Sequence, residues 1–132
     1  MNTFYFDSSA SVELAVGDPV AADIAKLATG GLWVTCDLSR TEVVRAIARR
    51  RPAETSNARE VLHNMMIIAL DKDVYEMAGR IQPARLRSLD AIHVAAALSL
   101  GDDLTAFITY DQRQAEAARL NGLHVVSPGQ NV

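Results

Sequence analysis

Thr3-Phe4-Tyr5-Phe6-Asp7-Ser8-Ser9-Ala10 begins with a short aromatic-rich run, closes it with a carboxylate, and continues in small residues that lead into a helical stretch. Such a run reads as a β-strand, with Ser8 to Val16 as the helix after it. The pattern returns near the other end of the chain. There Ala106-Phe107-Ile108-Thr109-Tyr110 is closed by Asp111 and followed by a helical stretch from Gln112. If the two strands are parallel, both acids project from the same sheet edge, and that edge is where open α/β sheets bind their ligands.

The intervening sequence fills in the rest of such a fold. Gly17-Asp18-Pro19 breaks the first helix, and Pro19 suits a first helical position. Val20, Ile24, Leu27 and Ala28 recur at helical spacing until Gly30-Gly31. Leu32-Trp33-Val34-Thr35 reads as a strand. A helix from Leu38 to Arg50 carries the stripe Val43, Val44, Ile47 and Ala48 and ends before Pro52. A further helix then runs to about Asn64, a strand from Met65 to Leu70, and a helix from Lys72 to Ile81. Leu89 to Leu100 is apolar nearly all round, the mark of a buried helix. Gln112 to Asn121 gives the last helix and Val125-Val126 a last short strand. Strands alternating with helices predict a mostly parallel sheet covered on both faces, with about four to five strands and about seven helices.

Bulk properties narrow the class. At 132 residues the chain is expected to be a single domain. The single cysteine, Cys36, excludes an internal disulfide and fits a reducing, cytoplasmic setting. The first residues lack the pattern of a signal peptide, and no apolar run approaches the roughly 20 residues of a membrane span. A net charge of −3 means that any contact with nucleic acid must come from a local basic patch.

Four acids stand at strand ends or in first helical turns: Asp7, Glu42, Asp90 and Asp111. Each has a local explanation. Asp7 and Asp111 can cap the helices that follow them. Ser39-Arg40-Thr41-Glu42 matches a capping box, with Glu42 reaching back to the Ser39 amide. Asp90 can complement the positive end of its helix. Together they suggest something more, because carboxylates gathered at one sheet edge repel one another unless cations or protons neutralise them. A cluster made of carboxylates suits Mg²⁺ or Mn²⁺ better than zinc.

These segments carry a resemblance. Asp7-Ser8-Ser9-Ala10, Ser39-Arg40-Thr41-Glu42-Val43, Leu86-Arg87-Ser88-Leu89-Asp90-Ala91-Ile92-His93-Val94-Ala95 and Thr109-Tyr110-Asp111 resemble, in order and over nearly the whole chain, the PIN domain. Within it they are similar to the VapC toxin ribonucleases of bacterial toxin–antitoxin pairs. The resemblance implies a PIN-like α/β/α sandwich over residues 1–132. It implies that Asp7, Glu42, Asp90 and Asp111 form the metal and catalytic site, with Ser8 and Thr109 beside it. It further implies a Mg²⁺-dependent endoribonuclease, with Mn²⁺ as a substitute ion, that hydrolyses RNA with metal-activated water and leaves a 5′-phosphate and a 3′-hydroxyl. The implied partners are the RNA substrate, a VapB-like antitoxin and a second copy in a homodimer, with the apolar side of the first helices as the place to look for dimer contacts. No acidic position of the pattern is missing.

Around the acids, Arg45, Arg49, Arg50 and Arg51 cluster at the end of one helix. They read either as compensation of the helix dipole or as a rim that positions phosphates. Arg80, Arg85, Arg87 and Arg113 could extend that rim. His93, one turn after Asp90, reads as a packed histidine or as a partner of that carboxylate, while Cys36, Tyr5 and Trp33 read as core. Other classes fit less well. A dehalogenase-like phosphatase needs an acid where Ser9 stands, and a phospho-receiver needs paired acids after the first strand. A non-toxic PIN nuclease and a non-catalytic RNA-binding module remain as alternatives.

Overall fold

The computed structural model describes residues 1–17, 19–130 and 132, so Asp18 of the Gly17-Asp18-Pro19 break lies outside the described residues. Five strands form one sheet: β1 (Thr3–Phe6), β2 (Leu32–Cys36), β3 (Met66–Ile68), β4 (Ala106–Ile108) and β5 (Val125–Val126). Their order is β3-β2-β1-β4-β5, and every neighbouring pair is parallel. Seven α-helices connect and cover them: α1 (Ser8–Val16), α2 (Val20–Ala28), α3 (Ser39–Arg50), α4 (Asn57–His63), α5 (Lys72–Ala78), α6 (Ser88–Leu98) and α7 (Gln112–Leu120). This is the α/β/α arrangement expected from the alternating pattern.

The central strand explains why the opening run is apolar without interruption. All four residues of β1 are buried, as in a parallel sheet covered on both faces. Alternation then sorts them between two layers. Tyr5, Val34 and Phe107 face α5, α6 and α7, whereas Phe4, Phe6 and Ile108 face the α1–α2 side. Tyr5 and Phe107 are register partners, and their rings stack with centroids 5.3 Å apart. Burying rings of this size contributes about 1.5–3 kcal/mol each. Helix α6 is sunk into the first layer, with Ala91 and His93 to Ala97 buried, as its all-round apolar composition requires.

The chain builds outward from β1 through β2 to β3 and then crosses back to place β4 on the other side of β1. The reversal creates a switch point between the carboxyl ends of β1 and β4, where such sheets form a ligand crevice. Phe6 pairs with Ile108, so Asp7 and Thr109 emerge side by side.

Element limits differ from the sequence reading in instructive places. The strand expected to run to Tyr110 stops at Ile108, because the Tyr110 amide donates to Ser9 Oγ (2.8 Å) and the Asp111 amide to Thr109 Oγ1 (3.1 Å). The strand expected from Met65 to Leu70 shrinks to Met66–Ile68 at the sheet edge. After Pro52 the chain makes a 3₁₀ turn, Pro52–Glu54, before α4 begins at Asn57. The apolar side of α1 does not form an open surface: Ala10, Val12 and Val16 are buried, and α1 packs on α2, α3 and α4.

Candidate active site

Asp7 combines the roles of cap and site residue. Its Oδ1 accepts from the Ala10 amide (2.9 Å), which caps α1, and from Ser9 Oγ (2.7 Å). Thr109 Oγ1 donates to its Oδ2. Ser9 and Thr109 also touch each other at 3.2 Å. Asp7 is only 3% exposed, and burial pushes its pKa up against the opposing effects of the His93 charge and these hydrogen bonds. Asp111 likewise caps its helix, accepting from the Gln114 amide at 3.1 Å.

Glu42 does not close a capping box. Leu38 occupies the cap position of α3 without a side-chain bond, and Ser39 Oγ lies 2.7 Å from Thr35 Oγ1, which itself donates to the Phe6 carbonyl. With Ser39 drawn into the sheet, Glu42 turns to the crevice. Its Oε1 accepts from Ser8 Oγ (2.6 Å) and pairs with His93 Nε2 (2.7 Å). Burial would raise its pKa, but the bonds from His93 and Ser8 outweigh that and hold it below the usual value.

His93 is a packed residue, as one of its two readings expected, but the carboxylate it partners is Glu42 and not Asp90. The ring is buried, with Nδ1 2.8 Å from Tyr5 Oη and 3.7 Å from Cys36 Sγ. Burial alone would lower its pKa. Hydrogen bonds with Cys36 and Glu42, with the nearby charges, push it up to about 10.

Asp90, in the first turn of α6, is partly exposed and lies 3.7 Å from Arg87 Nε. Its pKa is raised by burial first and by the Asp111 charge second, with Arg87 opposing. Gln114 Nε2 donates to the Asp90 carbonyl (3.2 Å), which ties α7 to α6. Asp7, Glu42, Asp90 and Asp111 thus all line one cleft of about 420 Å³, together with Ser8, Ser9, His93, Arg49 and Arg87.

The remaining arginines divide by position. Arg50 is engaged by Glu13 of α1 (2.8 Å) and Arg51 by Glu54 (3.2 Å). Arg113 and Arg85 line a neighbouring cavity, and Arg45 lines neither. Two participants, Ser9 and Gln114, were not singled out by the sequence. The adjacent Asp7-Ser8-Ser9 hydroxyls were the available signal for the first, and nothing local marks the second.

A divalent cation fits this donor set. Among the described residues, no group of three or more His, Cys, Asp or Glu side chains stands already gathered as a metal cage. Mg²⁺ does not require one, since it is held by one or two carboxylates and keeps several waters. The mutual repulsion of Asp90 and Asp111 is what a cation between them would relieve.

Comparison with known proteins places the fold in a family. The family model described as PIN domain matches residues 4–120. Ribonuclease VapC46 of Mycobacterium tuberculosis is 39% identical over 129 residues, spanning 97% of this chain and 99% of that protein. Two solved structures share the fold. One is the DNA-bound VapBC of Salmonella typhimurium (TM-score 0.72, 13% identity, 96% of this chain and 98% of that one). The other is VapC20 of M. tuberculosis, a sarcin–ricin-loop-cleaving toxin (TM-score 0.69, 18% identity, 95% and 99%).

Proposed function

Because the chain belongs to the PIN-domain family, within its VapC ribonucleases, we propose that it is a Mg²⁺-dependent endoribonuclease whose catalytic centre is Asp7, Glu42, Asp90 and Asp111. The observation that carries this reading is the convergence of these four acids, distant in sequence, on one cleft at the switch point of a parallel sheet. Asp7 and Asp90 are assigned as direct metal ligands. Glu42 and Asp111 are assigned to hold the ion through water or to orient the nucleophilic water.

A bound Mg²⁺ supplies a lowered pKa for a coordinated water and charge stabilisation for the leaving oxygen. The chain supplies the rest. Ser9 and Thr109 fix both oxygens of Asp7, so its carboxylate presents a constant geometry. Ser8 and His93 hold Glu42 ionised and aimed at the cleft. Arg49 and Arg87, on its walls, are placed to hold phosphates of the RNA strand. Residues 1–132 act as one PIN domain.

The same reading makes the protein the toxin of a pair with a VapB-like antitoxin, acting in the cytoplasm as a homodimer, with Mn²⁺ able to replace Mg²⁺. The 39% identity to a VapC ribonuclease and the fold shared with VapBC support it. The exposed Leu27 and Val44 offer apolar area for such protein contacts. The test is cleavage of single-stranded RNA with Mg²⁺, giving 5′-phosphate ends. Loss of that cleavage in folded Asp7→Asn and Asp90→Asn proteins supports the assignment, and persistence in both rejects it.

A further inference from the structure

A second cavity, of about 610 Å³, opens beside the acidic cleft, and Arg87 and Asp90 line both. The connector before α6 contributes Pro83, Arg85 and Leu86, and α7 contributes Arg113, Glu116, Ala117 and Leu120. The four α7 residues fall at i, i+3, i+4 and i+7, on one helix face. Asn121 Nδ2 donates to the Gln82 carbonyl (2.8 Å), which holds the connector against the end of α7. Among the described residues neither Arg85 nor Arg113 is in an ion pair, and Glu116 accepts only a 3.5 Å bond from Gln112. Leu120 is 65% exposed in the open wall.

This lining is unsuited to a bare phosphate track, since Glu116 would repel a phosphate. Guanidiniums, the carboxylates of Glu116 and, on the side shared with the cleft, Asp90, and apolar side chains around one space match a flat ring that carries both acceptors and donors on its edges. A nucleobase has that chemistry, and an unstacked base of single-stranded RNA is read in such pockets. The volume lies in the range of small-molecule sites.

We propose that this cavity is a base-reading subsite for a nucleotide adjacent to the scissile phosphate, with guanine the favoured base. Guanine presents O6 and N7 to a guanidinium and a pair of N–H donors to the Glu116 carboxylate, with its ring against Leu86 and Leu120. Adenine lacks the paired donors, and the pyrimidines lack the second ring. The inference rests on the ribonuclease reading, because the shared Arg87 and Asp90 are what place the scissile phosphate next door.

The test has two arms. Short single-stranded RNAs of randomised sequence are cut by the wild-type chain and by Glu116→Gln with Mg²⁺, and the new ends are sequenced. Guanine is expected to be enriched about tenfold at one position flanking the cut, the scale of one good base-edge pair, and the enrichment collapses in Glu116→Gln. In EDTA, fluorescence anisotropy of labelled RNAs differing only by one guanine or uracil is expected to show the same preference, lost in Glu116→Gln and weakened in Leu120→Ser. Base preferences that are absent, or equal in wild type and Glu116→Gln in both arms, overturn the subsite. A pool left uncut while anisotropy still favours guanine rejects the ribonuclease reading and leaves the subsite standing.

Discussion

His93 Nε2 lies 2.7 Å from Glu42 Oε1, joining the buried middle of α6 to the first turn of α3 across the floor of the cleft. The histidine is 2% exposed and the glutamate reaches the cleft, so the pair links core to site. His93→Gln keeps a hydrogen-bond donor but no charge. Glu42 then loses part of what holds it ionised, and cleavage is expected to fall about 10–100-fold, the scale for groups that orient a ligand. A rate that matches wild type contradicts this link.

The same pair gives the metal-free protein a pH signature. The His93 pKa is raised from 6.5 to about 10 in the fold, so its stabilising contribution is full below about 6.5 and is lost as pH rises through about 10. The Glu42 pKa is lowered, so its contribution is present above 4.5 and is lost as pH falls through its folded value. NMR of the His93 ring should show imidazolium at pH 8, and melting temperature should decline on the alkaline side in wild type but not in His93→Gln.

Asp7 separates capping from chemistry. Asn is as good an N-cap as Asp, so Asp7→Asn should retain the cap of α1, whereas Asp7→Ala should cost about 1 kcal/mol for the cap alone. Both should lose at least about 10²-fold in cleavage. Denaturation midpoints together with single-turnover rates check the split. Equal instability of the two variants would remove the capping role.

Thr109 fixes the other side of Asp7 and receives the Asp111 amide. Thr109→Val is nearly the same size but leaves buried polar groups without partners, a loss of about 1–3 kcal/mol. Thr109→Ser restores the hydroxyl and should recover most of both stability and rate. A valine variant as stable as wild type would show that the bond is dispensable.

Metal affinity should weaken on acidification sooner than ordinary carboxylates would predict, because the Asp7 and Asp90 pKa values are both raised and a ligand must be deprotonated to bind. Mg²⁺ titrations followed by thermal shift should show the shift shrinking as pH falls towards these raised values. In Asp90→Asn the shift should be absent at every pH.

Part of this arrangement is legible in the sequence. Asp7 and Asp111 could be read because a parallel strand ends in a helix cap, and both caps are present. Buried α6 could be read from composition, because all-round alanine and valine have no other stable place. What could not be read was long-range. The shift of Glu42 from capping box to His93 depends on Thr35, anchored to the Phe6 carbonyl of the neighbouring strand, drawing in Ser39, and on His93 lying 51 residues along the chain. The early end of β4 depends on Ser9 and Thr109 hydroxyls taking over backbone amides. No local pattern encodes either.

We propose that the four acids of this cleft cut RNA. This proposal is tested most directly by mapping RNA 5′-ends after brief expression of the chain beside its Asp90→Asn variant. Discrete new 5′-phosphate ends with the wild type and none with the variant are predicted. The same ends from both proteins, or no new ends from a folded wild-type chain, would contradict the account.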